Sequence, residues 1–346
     1  MLQHHDDDSI HTASDAPTWR ESFYCNFADT ESRYYGVAWQ GVRPNQEVAE
    51  AVFVLFDRET ALIRSVQTQL PVAADTDRRA VGNQTFTCHE PWRHWSVTFD
   101  DGTSNLTVDW QQLSEVCDHD ATGTPGRPVD PDTVEAPDEA SFYGAAKHFE
   151  ATGRIEASGE VDGRPISFTG FGTRDRAWGP RNWGLLGFCW WQTTQFADGD
   201  AVHALLLQEK VGDDMSLFGM LHRDGRTRPA MLLECEIGYD GEPGPPTSAR
   251  QRWVDDEGRE LIIESMQLLA HQPFAILADG QNLEPRTIET PEENAYFWTW
   301  QRFVRDDGVV GHGMIDQACW SGMQHTTFAS TVPTGKLYDY GVSQHA

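Results

Sequence analysis

The sequence predicts an all-β protein built from two consecutive antiparallel barrels or half-barrels with few, short helices. Seven Asp-Gly dipeptides separate alternating or β-rich runs, and no segment carries a sustained apolar stripe at helical spacing. The chain has 346 residues. Because a single hydrophobic core rarely grows beyond about 250–300 residues, we expect two cores.

The Asp-Gly dipeptides predict the hairpins of the fold. They begin at Asp101, Asp162, Asp198, Asp224, Asp240, Asp279 and Asp307. Asp-Gly readily adopts the positive φ angles of tight hairpins, and β-rich runs on both sides are typical of an up-and-down meander. Closing such a sheet into a barrel removes its exposed edges. A barrel of about eight strands has room for one small ligand, so we expect any small-molecule site to lie inside a barrel.

Alternation within two strands predicts which faces are buried. The run from Val48 to Leu55 is apolar on both faces, which favours a strand covered on both sides. By contrast, Trp298 and Trp300 alternate with polar neighbours, and a face of mixed polarity suits a barrel interior that holds a ligand.

Short helices are expected near Thr290 to Asn294 or Asp138 to His148, and a long proline-rich loop from Cys117 to Ala140.

The charge balance limits the partners. The chain has 26 basic and 54 acidic residues and a net charge of −28, which disfavours nucleic acids and anionic membranes. No apolar run reaches the ~18–20 residues of a membrane span. The polar run from Met1 to Asp15 lacks the apolar core of a signal peptide, so a cytoplasmic protein is expected. Its six scattered cysteines form no CxxC pair and are expected to be free thiols.

The most distinctive stretch begins at His148-Phe149-Glu150-Ala151-Thr152-Gly153-Arg154 and ends at Gly170-Phe171-Gly172-Thr173-Arg174-Asp175-Arg176-Ala177-Trp178-Gly179-Pro180-Arg181-Asn182-Trp183. It resembles the junction in the carotenoid hydratase (hydroxyneurosporene synthase) and AttH-like superfamily, where a G-x-G-x-R-D-H-x-W-G-P-R element links two lipocalin-like halves. The segments from Trp19 to Phe27, from Val37 to Pro44 and from Gly311 to Asp316 are also similar.

This resemblance implies two calycin-type, lipocalin-like domains, at 19–172 and 173–340, after a disordered tail at 1–18. It also implies a hydratase, dehydratase, isomerase or cyclase for terpenoid or polyketide substrates. One position departs from the pattern: Arg176 stands where the relatives usually carry histidine. Histidine shuttles protons near neutral pH and arginine does not. If that histidine donates the proton in the relatives, its role must move or the reaction must differ.

Hydration or cyclisation of an alkene needs a protonated acid and aromatic faces that stabilise a cation. Asp175 is the first candidate acid, with Arg176 beside it; the alternative is an Asp-Arg network that only holds the junction. His148 and Glu150 share one strand face and form a candidate acid–base pair. Tyr296 is a candidate proton donor. An ordinary structural role remains open for each of these residues.

Six tryptophans are candidate substrate-binding residues: Trp178, Trp183, Trp190, Trp191, Trp298 and Trp300. Trp178 has an alternative role, since lipocalin-type barrels often seal their base with an indole packed against an arginine, here Arg181. Trp190 and Trp191 must point to opposite faces of one strand, so at most one lines a pocket. Tyr296, Trp298 and Trp300 share a face, as cavity lining or as plain core.

Neither a metal nor a cofactor is predicted. The histidines show no HxH or HExxH spacing, and there is no GxGxxG, P-loop or GxSxG motif. The sequence therefore indicates a cofactor-independent acid–base enzyme, a lyase or an isomerase, acting on a hydrophobic small molecule. The alternatives are a lipocalin-like protein that binds an apolar metabolite without chemistry and a structural module whose barrels are filled by side chains.

Overall fold

The protein was analysed as a computed structural model, which describes residues 8–72, 78–118, 147–181, 187–208, 216–241, 243–276, 283–286, 288, 294–319 and 327–329. Strands dominate, as predicted, and a short 3-10 helix lies at Pro44–Gln46. No helix among the described residues is long and apolar enough to cross a bilayer. The predicted helix at Asp138 to His148 is described only at its end, which is strand, and the one at Thr290 to Asn294 only at Asn294.

Contact clustering divides the chain into two units. Unit 1 comprises Met1–Val116 and Tyr143–Arg181, and unit 2 comprises Cys117–Phe142 and Asn182–Ala346. The strands before residue 182 are β1 (Trp19–Asp29), β2 (Tyr34–Arg43), β3 (Val48–Asp57), β4 (Thr60–Pro71), β5 (Ala80–Val81), β6 (Gln84–Glu90), β7 (His94–Asp100), β8 (Ser104–Gln112), β9 (Cys117–Asp118), β10 (Lys147–Val161) and β11 (Arg164–Pro180).

The later strands are β12 (Phe188–Phe196), β13 (Ala201–Gln208), β14 (Ser216–Arg223), β15 (Arg226–Tyr239), β16 (Pro246–Asp255), β17 (Glu260–Ile276), β18 (Leu283–Glu284), β19 (Ala295–Arg305), β20 (Val310–Cys319) and β21 (Thr327–Ala329). All pairings are antiparallel. The fold class predicted from the sequence, two antiparallel lipocalin-like barrels or half-barrels, is confirmed.

The barrel of unit 2 is closed, whereas the sheet of unit 1 shows no closure among the described residues. In unit 2 the order β14-β13-β12-β20-β19-β17-β16-β15 returns to its start because β15 also pairs with β14. In unit 1 the order is β4-β3-β2-β1-β11-β10-β8-β7-β6-β5, and no ladder among the described residues joins its two ends. The Gln67 side chain of β4 accepts a hydrogen bond from the Asn83 N–H at 2.9 Å and links these ends instead.

Six of the seven Asp-Gly dipeptides lie in turns between consecutive antiparallel strands, and Asp279-Gly280 lies outside the described residues. At Asp162-Gly163 the φ angles are 49° and 76°, and at Asp224-Gly225 they are 52° and 74°. Positive φ at both central residues is the type I′ geometry, whose twist matches that of the flanking strands. Local turn chemistry therefore sets the hairpins as predicted.

Each sheet has an inner face, which carries the hydrophobic core, and an outer face. The core of unit 1 includes Phe149 and Ala151, and that of unit 2 includes Trp190 and Phe303. In unit 1 part of the outer face is buried as well. Strand β3, for example, is buried on both faces from Ala49 to Phe56. The prediction that this strand is covered on both sides is confirmed.

Two expected boundaries differ from the structure. A division after residue 172 falls inside β11, which pairs with β1 from Gly170 to Pro180, so unit 1 ends at Arg181. A Cβ at Gly170 would lie 1.9 Å from the Ala28 carbonyl oxygen, so the glycine of the motif permits the close approach of β1. The tail was expected to be disordered to residue 18, yet Asp8 is buried in unit 1. The predicted loop from Cys117 to Ala140 is described only at β9.

Candidate functional site

Three strands of unit 1 bring the candidate acid–base residues together. In the register of β10, β11 and β1, Glu150 lies opposite Asp175, which lies opposite Tyr24. Side chains alternate along a strand, so His148 and Glu150 share one face while Phe149 points to the core. The outer face of unit 1 therefore gathers His148, Glu150 and Asp175, which we call the acid–base cluster.

The acid–base cluster is compact and almost fully buried. His148 Nε2 hydrogen-bonds the Asp175 Oδ2 atom and lies 3.6 Å from the Glu150 Oε1 atom. The side chains of His148, Glu150 and Asp175 retain 7%, 1% and 11% of their exposure. A carboxylate bonded to an imidazole orients its tautomer and stabilises the cation formed when it takes up a proton. The cluster is therefore suited to exchange protons away from bulk water.

The cluster lies outside the barrel interior, contrary to the expectation from the sequence. Glu150 and Asp175 alternate with residues of the inner face, where the core of unit 1 is packed. The expected Asp-Arg network is likewise absent around Asp175 among the described contacts, because Arg174 and Arg176, its chain neighbours, point to the inner face. The strand alternation that separates them from Asp175 was already contained in the sequence.

Arg176 is buried and forms an ion pair with Glu21 on the inner face. Burial alone would raise the pKa of Glu21, but hydrogen bonds from His11 and Arg78 and the charge of Arg176 together lower it from 4.5 to about 2. Burial lowers the pKa of Arg176, while Glu21 opposes this change. The residue that replaces the usual histidine of the superfamily thus belongs to an interior ion pair and lies apart from the acid–base cluster.

Arg174 occupies the inner face beside Arg176. Its guanidinium lies 4.0 Å from the ring centroid of Trp95 and pairs with the carboxylate of Asp8. Asp8 also accepts hydrogen bonds from the Trp92 backbone N–H at 2.6 Å and the Trp95 indole at 2.8 Å. These contacts hold the Asp8 side chain in the interior of unit 1.

Trp178 packs in an aromatic stack. Its ring centroid lies 3.8 Å from that of His11 and 5.3 Å from that of Phe149. The Arg176 guanidinium lies 5.4 Å from the indole centroid. Arg176 thus lies over the indole, a place that the prediction gave to Arg181, and the sealing role of Trp178 stays a prediction.

A second buried group lies on the outer face of unit 2. The Asp316 Oδ2 atom of β20 accepts hydrogen bonds from the Tyr296 hydroxyl at 2.6 Å and from the Trp298 indole at 3.0 Å. Phe274 of β17 packs edge-on against Trp298, with ring centroids 4.8 Å apart. We call Phe274, Tyr296, Trp298 and Asp316 the aromatic cluster. Burial, reinforced by the charge of Asp316, holds the pKa of Tyr296 well above its usual value, so the phenol stays protonated.

The remaining tryptophans divide as strand alternation predicts. Trp190 belongs to the core of unit 2, whereas Trp191 lies opposite Asp316 in the neighbouring strand. Trp300 shares the outer face with Trp298 and is 1% exposed. Trp298 and Trp300 thus point away from the barrel interior, while Thr299, Gln301 and Phe303 share the inner face of β19. Trp183 lies outside the described residues.

Sequence reasoning missed Asp316. It ends the segment from Gly311 to Asp316 that was noted only as a similarity in the closing strand. Its signal was the lone acid of β20, at a position that pairs with Trp298. The pairing could not be read from the sequence because it depends on the register of β19 against β20.

The acid–base cluster also has the composition of a metal site, since one ligand atom from each of His148, Glu150 and Asp175 lies within 4.8 Å of the others. In the structure these atoms already engage one another, with the imidazole bonded to a carboxylate.

The two units define a two-barrel β protein with buried polar groups on the outer faces of its sheets. The chain belongs to the family described as Domain of unknown function (DUF7064), whose model matches residues 4–318. No curated protein matches its sequence.

Solved structures share the fold. The AttH-like protein of Nitrosomonas europaea is 13% identical with a TM-score of 0.59, covering 90% of this chain and 98% of its own. CghA is 15% identical with a TM-score of 0.55, covering 89% and 90%. Kievitone hydratase from Nectria haematococca is 9% identical with a TM-score of 0.54, covering 92% and 93%. The resemblance to the AttH-like superfamily is confirmed at the level of the fold.

Proposed function

We propose that this protein is a cofactor-independent acid–base enzyme, a hydratase, dehydratase, isomerase or cyclase, acting on a hydrophobic terpenoid-like or polyketide-like molecule. The observation that carries the proposal is the buried contact of His148 with Asp175 and its proximity to Glu150. A buried imidazole between two carboxylates both donates and accepts a proton, which is the task of a general acid–base catalyst.

The reaction class follows from what these groups supply. In a hydration, the protonated group delivers a proton to one alkene carbon, water adds to the other, and the water then returns a proton to the cluster. Dehydration is the reverse, and isomerisation omits the water. In each of these reactions the protons pass only between the alkene, water and the acid–base cluster. The similarity of the fold to kievitone hydratase supports this class.

The aromatic cluster supports an apolar substrate. Aromatic faces stabilise positive charge that develops at carbon without adding to it as a nucleophile would. The hydroxyl of Tyr296 donates its proton to Asp316, so its oxygen is an acceptor that orients a water. A protein that binds an apolar molecule without chemistry would use the same aromatic side chains.

Two isosteric changes test the acid–base cluster: Asp175→Asn and Glu150→Gln. A panel of terpenoid and polyketide-like alkenes is incubated with each protein, and products are followed by mass spectrometry for the gain or loss of one water or for altered retention. Removal of a true general acid or base should reduce turnover at least ~100-fold. Retained turnover in both variants would reject the assignment.

Glu156→Gln is the matched control, because Glu156 lies on β10 with the same strand parity as Glu150 but is exposed. We expect its turnover to equal that of the unmodified protein. Recovery of a bound but unchanged ligand from every protein would favour the alternative, a binding protein for an apolar metabolite.

A further inference from the structure

Away from both clusters, three strands of unit 1 bring two histidines and one aspartate together. His89 is the last but one residue of β6, His94 begins β7 and Asp109 lies in β8. Trp95 and Trp110, their immediate chain neighbours, belong to the core, so His94 and Asp109 point to the outer face. The proposed reaction uses none of these three residues.

A β-bulge brings His89 into this group. The register of β6 against β7 shifts between Cys88, which lies opposite Trp95, and Glu90, which lies opposite His94. His89 is therefore the extra residue of the bulge, and bulges re-aim side chains in this way. As a result, the His89 and His94 ring centroids are 4.4 Å apart.

The ligand atoms converge. One from each of His89, His94 and Asp109 lies within 4.8 Å of the others. His94 Nε2 is 2.7 Å from Asp109 Oδ2, and His89 Nε2 is 2.9 Å from the hydroxyl oxygen of Ser96. The Gln111 amide donates to the other oxygen of Asp109 at 3.3 Å, as an outer residue that orients a ligand would.

We propose that His89, His94 and Asp109 form a zinc site. Two imidazoles and one carboxylate are a ligand set that suits Zn²⁺, with a water in the fourth position. Donor atoms about 2.0–2.1 Å from zinc lie roughly 3.3 Å from one another in a tetrahedron. The present separations require only small side-chain movements to reach this geometry.

Accessibility distinguishes this site from the acid–base cluster. His89 is exposed, and the side chains of His94 and Asp109 retain 36% and 32% of their exposure. An ion therefore reaches the site from solvent. A bound ion would connect β6, β7 and β8, and it stabilises the fold by mass action because the unfolded chain does not present the same set of ligands.

Calorimetric titration of the chelator-treated protein with Zn²⁺ tests the proposal. We expect one equivalent to bind, with a rise in the unfolding midpoint that increases with zinc concentration. His94→Ala and Asp109→Asn should each abolish this binding and this rise. Gln111→Leu should weaken binding about 10-fold or more. Both ligands changed are partly exposed, and circular dichroism verifies that each variant is folded.

Two controls exclude other histidines. His271→Ala changes an exposed histidine of unit 2, and His4→Ala/His5→Ala removes the histidine pair near the N-terminus. Both proteins should bind one equivalent as before. Binding that persists in His94→Ala, or that disappears in the His4/His5 or His148→Ala variant while His94→Ala retains it, would overturn the proposal.

A second measurement reports the ligands directly. Co²⁺ in place of Zn²⁺ should give the visible absorption of a tetrahedral ion, and His94→Ala and Asp109→Asn should each abolish it. A spectrum that is unchanged in Asp109→Asn contradicts a site built from these residues.

Discussion

Each of the two units buries an aspartate on the outer face of its sheet, and the surroundings of the two aspartates differ. Asp175 of β11 lies between Glu150 and Tyr24 of the neighbouring strands, whereas Asp316 of β20 lies between Trp298 and Trp191. Asp175 contacts an imidazole with a second carboxylate nearby, while Asp316 accepts bonds from an indole and a phenol.

This difference teaches that the cross-strand neighbours, and not the strand position, decide what a buried carboxylate does. Asp175 contacts an imidazole, a group that can donate or accept a proton, whereas Asp316 accepts hydrogen bonds from a phenol and an indole. The predictions below test the two environments separately.

The largest effect is expected from the interior ion pair of unit 1. Arg176→Met leaves the buried Glu21 carboxylate without its guanidinium, although Arg78 remains 2.8 Å away. Breaking a buried pair at one partner costs about 3–5 kcal/mol of unfolding free energy. Urea unfolding followed by tryptophan fluorescence measures the loss.

The control is Arg250→Met, which removes an ion pair to Glu264 whose two side chains are about half exposed. Exposed pairs contribute little because water and salt screen them. Equal unfolding midpoints for Arg176→Met and the unmodified protein would mean that the interior pair does not stabilise unit 1.

The two units should respond to acid in different pH ranges. The pKa of Glu21 is about 2 in the folded chain and 4.5 ordinarily, so its contribution of about 3 kcal/mol is complete above pH 4.5 and is lost as the pH falls towards 2. In unit 2, burial and the charge of Arg302 lower the pKa of His312 from 6.5 to about 4. The stability linked to neutral His312 is therefore present above pH 6.5 and is lost as the pH falls through 4.

Unfolding free energies measured from about pH 7 to about pH 3 check this order. In His312→Gln the unfolding free energy should depend less on pH in the higher part of this range. In Glu21→Gln it should depend less on pH in the lower part. If both variants keep the slope of the unmodified protein, other groups carry the acid sensitivity.

A smaller effect is expected in the aromatic cluster. Tyr296→Phe removes the hydroxyl that donates to the Asp316 carboxylate at 2.6 Å. Hydrogen bonds to charged groups contribute about 1.5–3 kcal/mol, so thermal unfolding should show a loss of that size. Tyr34→Phe is the matched control in unit 1, since the Tyr34 ring stacks on Phe168 and the ring is retained. Similar losses in both variants would show that the bond to Asp316 contributes nothing particular.

Much of the fold could be predicted from the sequence because its signals are local. An Asp-Gly pair sets a hairpin through its own φ angles, and alternation sets which residues of one strand share a face. For this reason the hairpin at Asp162-Gly163, the shared face of His148 and Glu150, and the opposite faces of Trp190 and Trp191 were all predictable. The six cysteines are free, as their scattered spacing predicted.

The candidate site was predictable only in part. The sequence singled out Asp175, Glu150, His148 and Tyr296, but it placed them inside a barrel, and it paired Asp175 with arginines that point to the other face. Asp316 was missed. The group of His89, His94 and Asp109 was missed as well, because its residues lie on three separate strands and show no HxH spacing.

By itself, the sequence determined the strand content, the turns and the two faces of each strand, because these depend on a residue and its near neighbours. Tertiary structure alone decided which faces carry the core and which distant residues meet, such as Asp8 with Arg174 or Tyr296 with Asp316. The physical reason is that these long-range contacts depend on the register between strands and on bulges such as the one at His89. A shift of one residue sends every side chain of a strand to the opposite face.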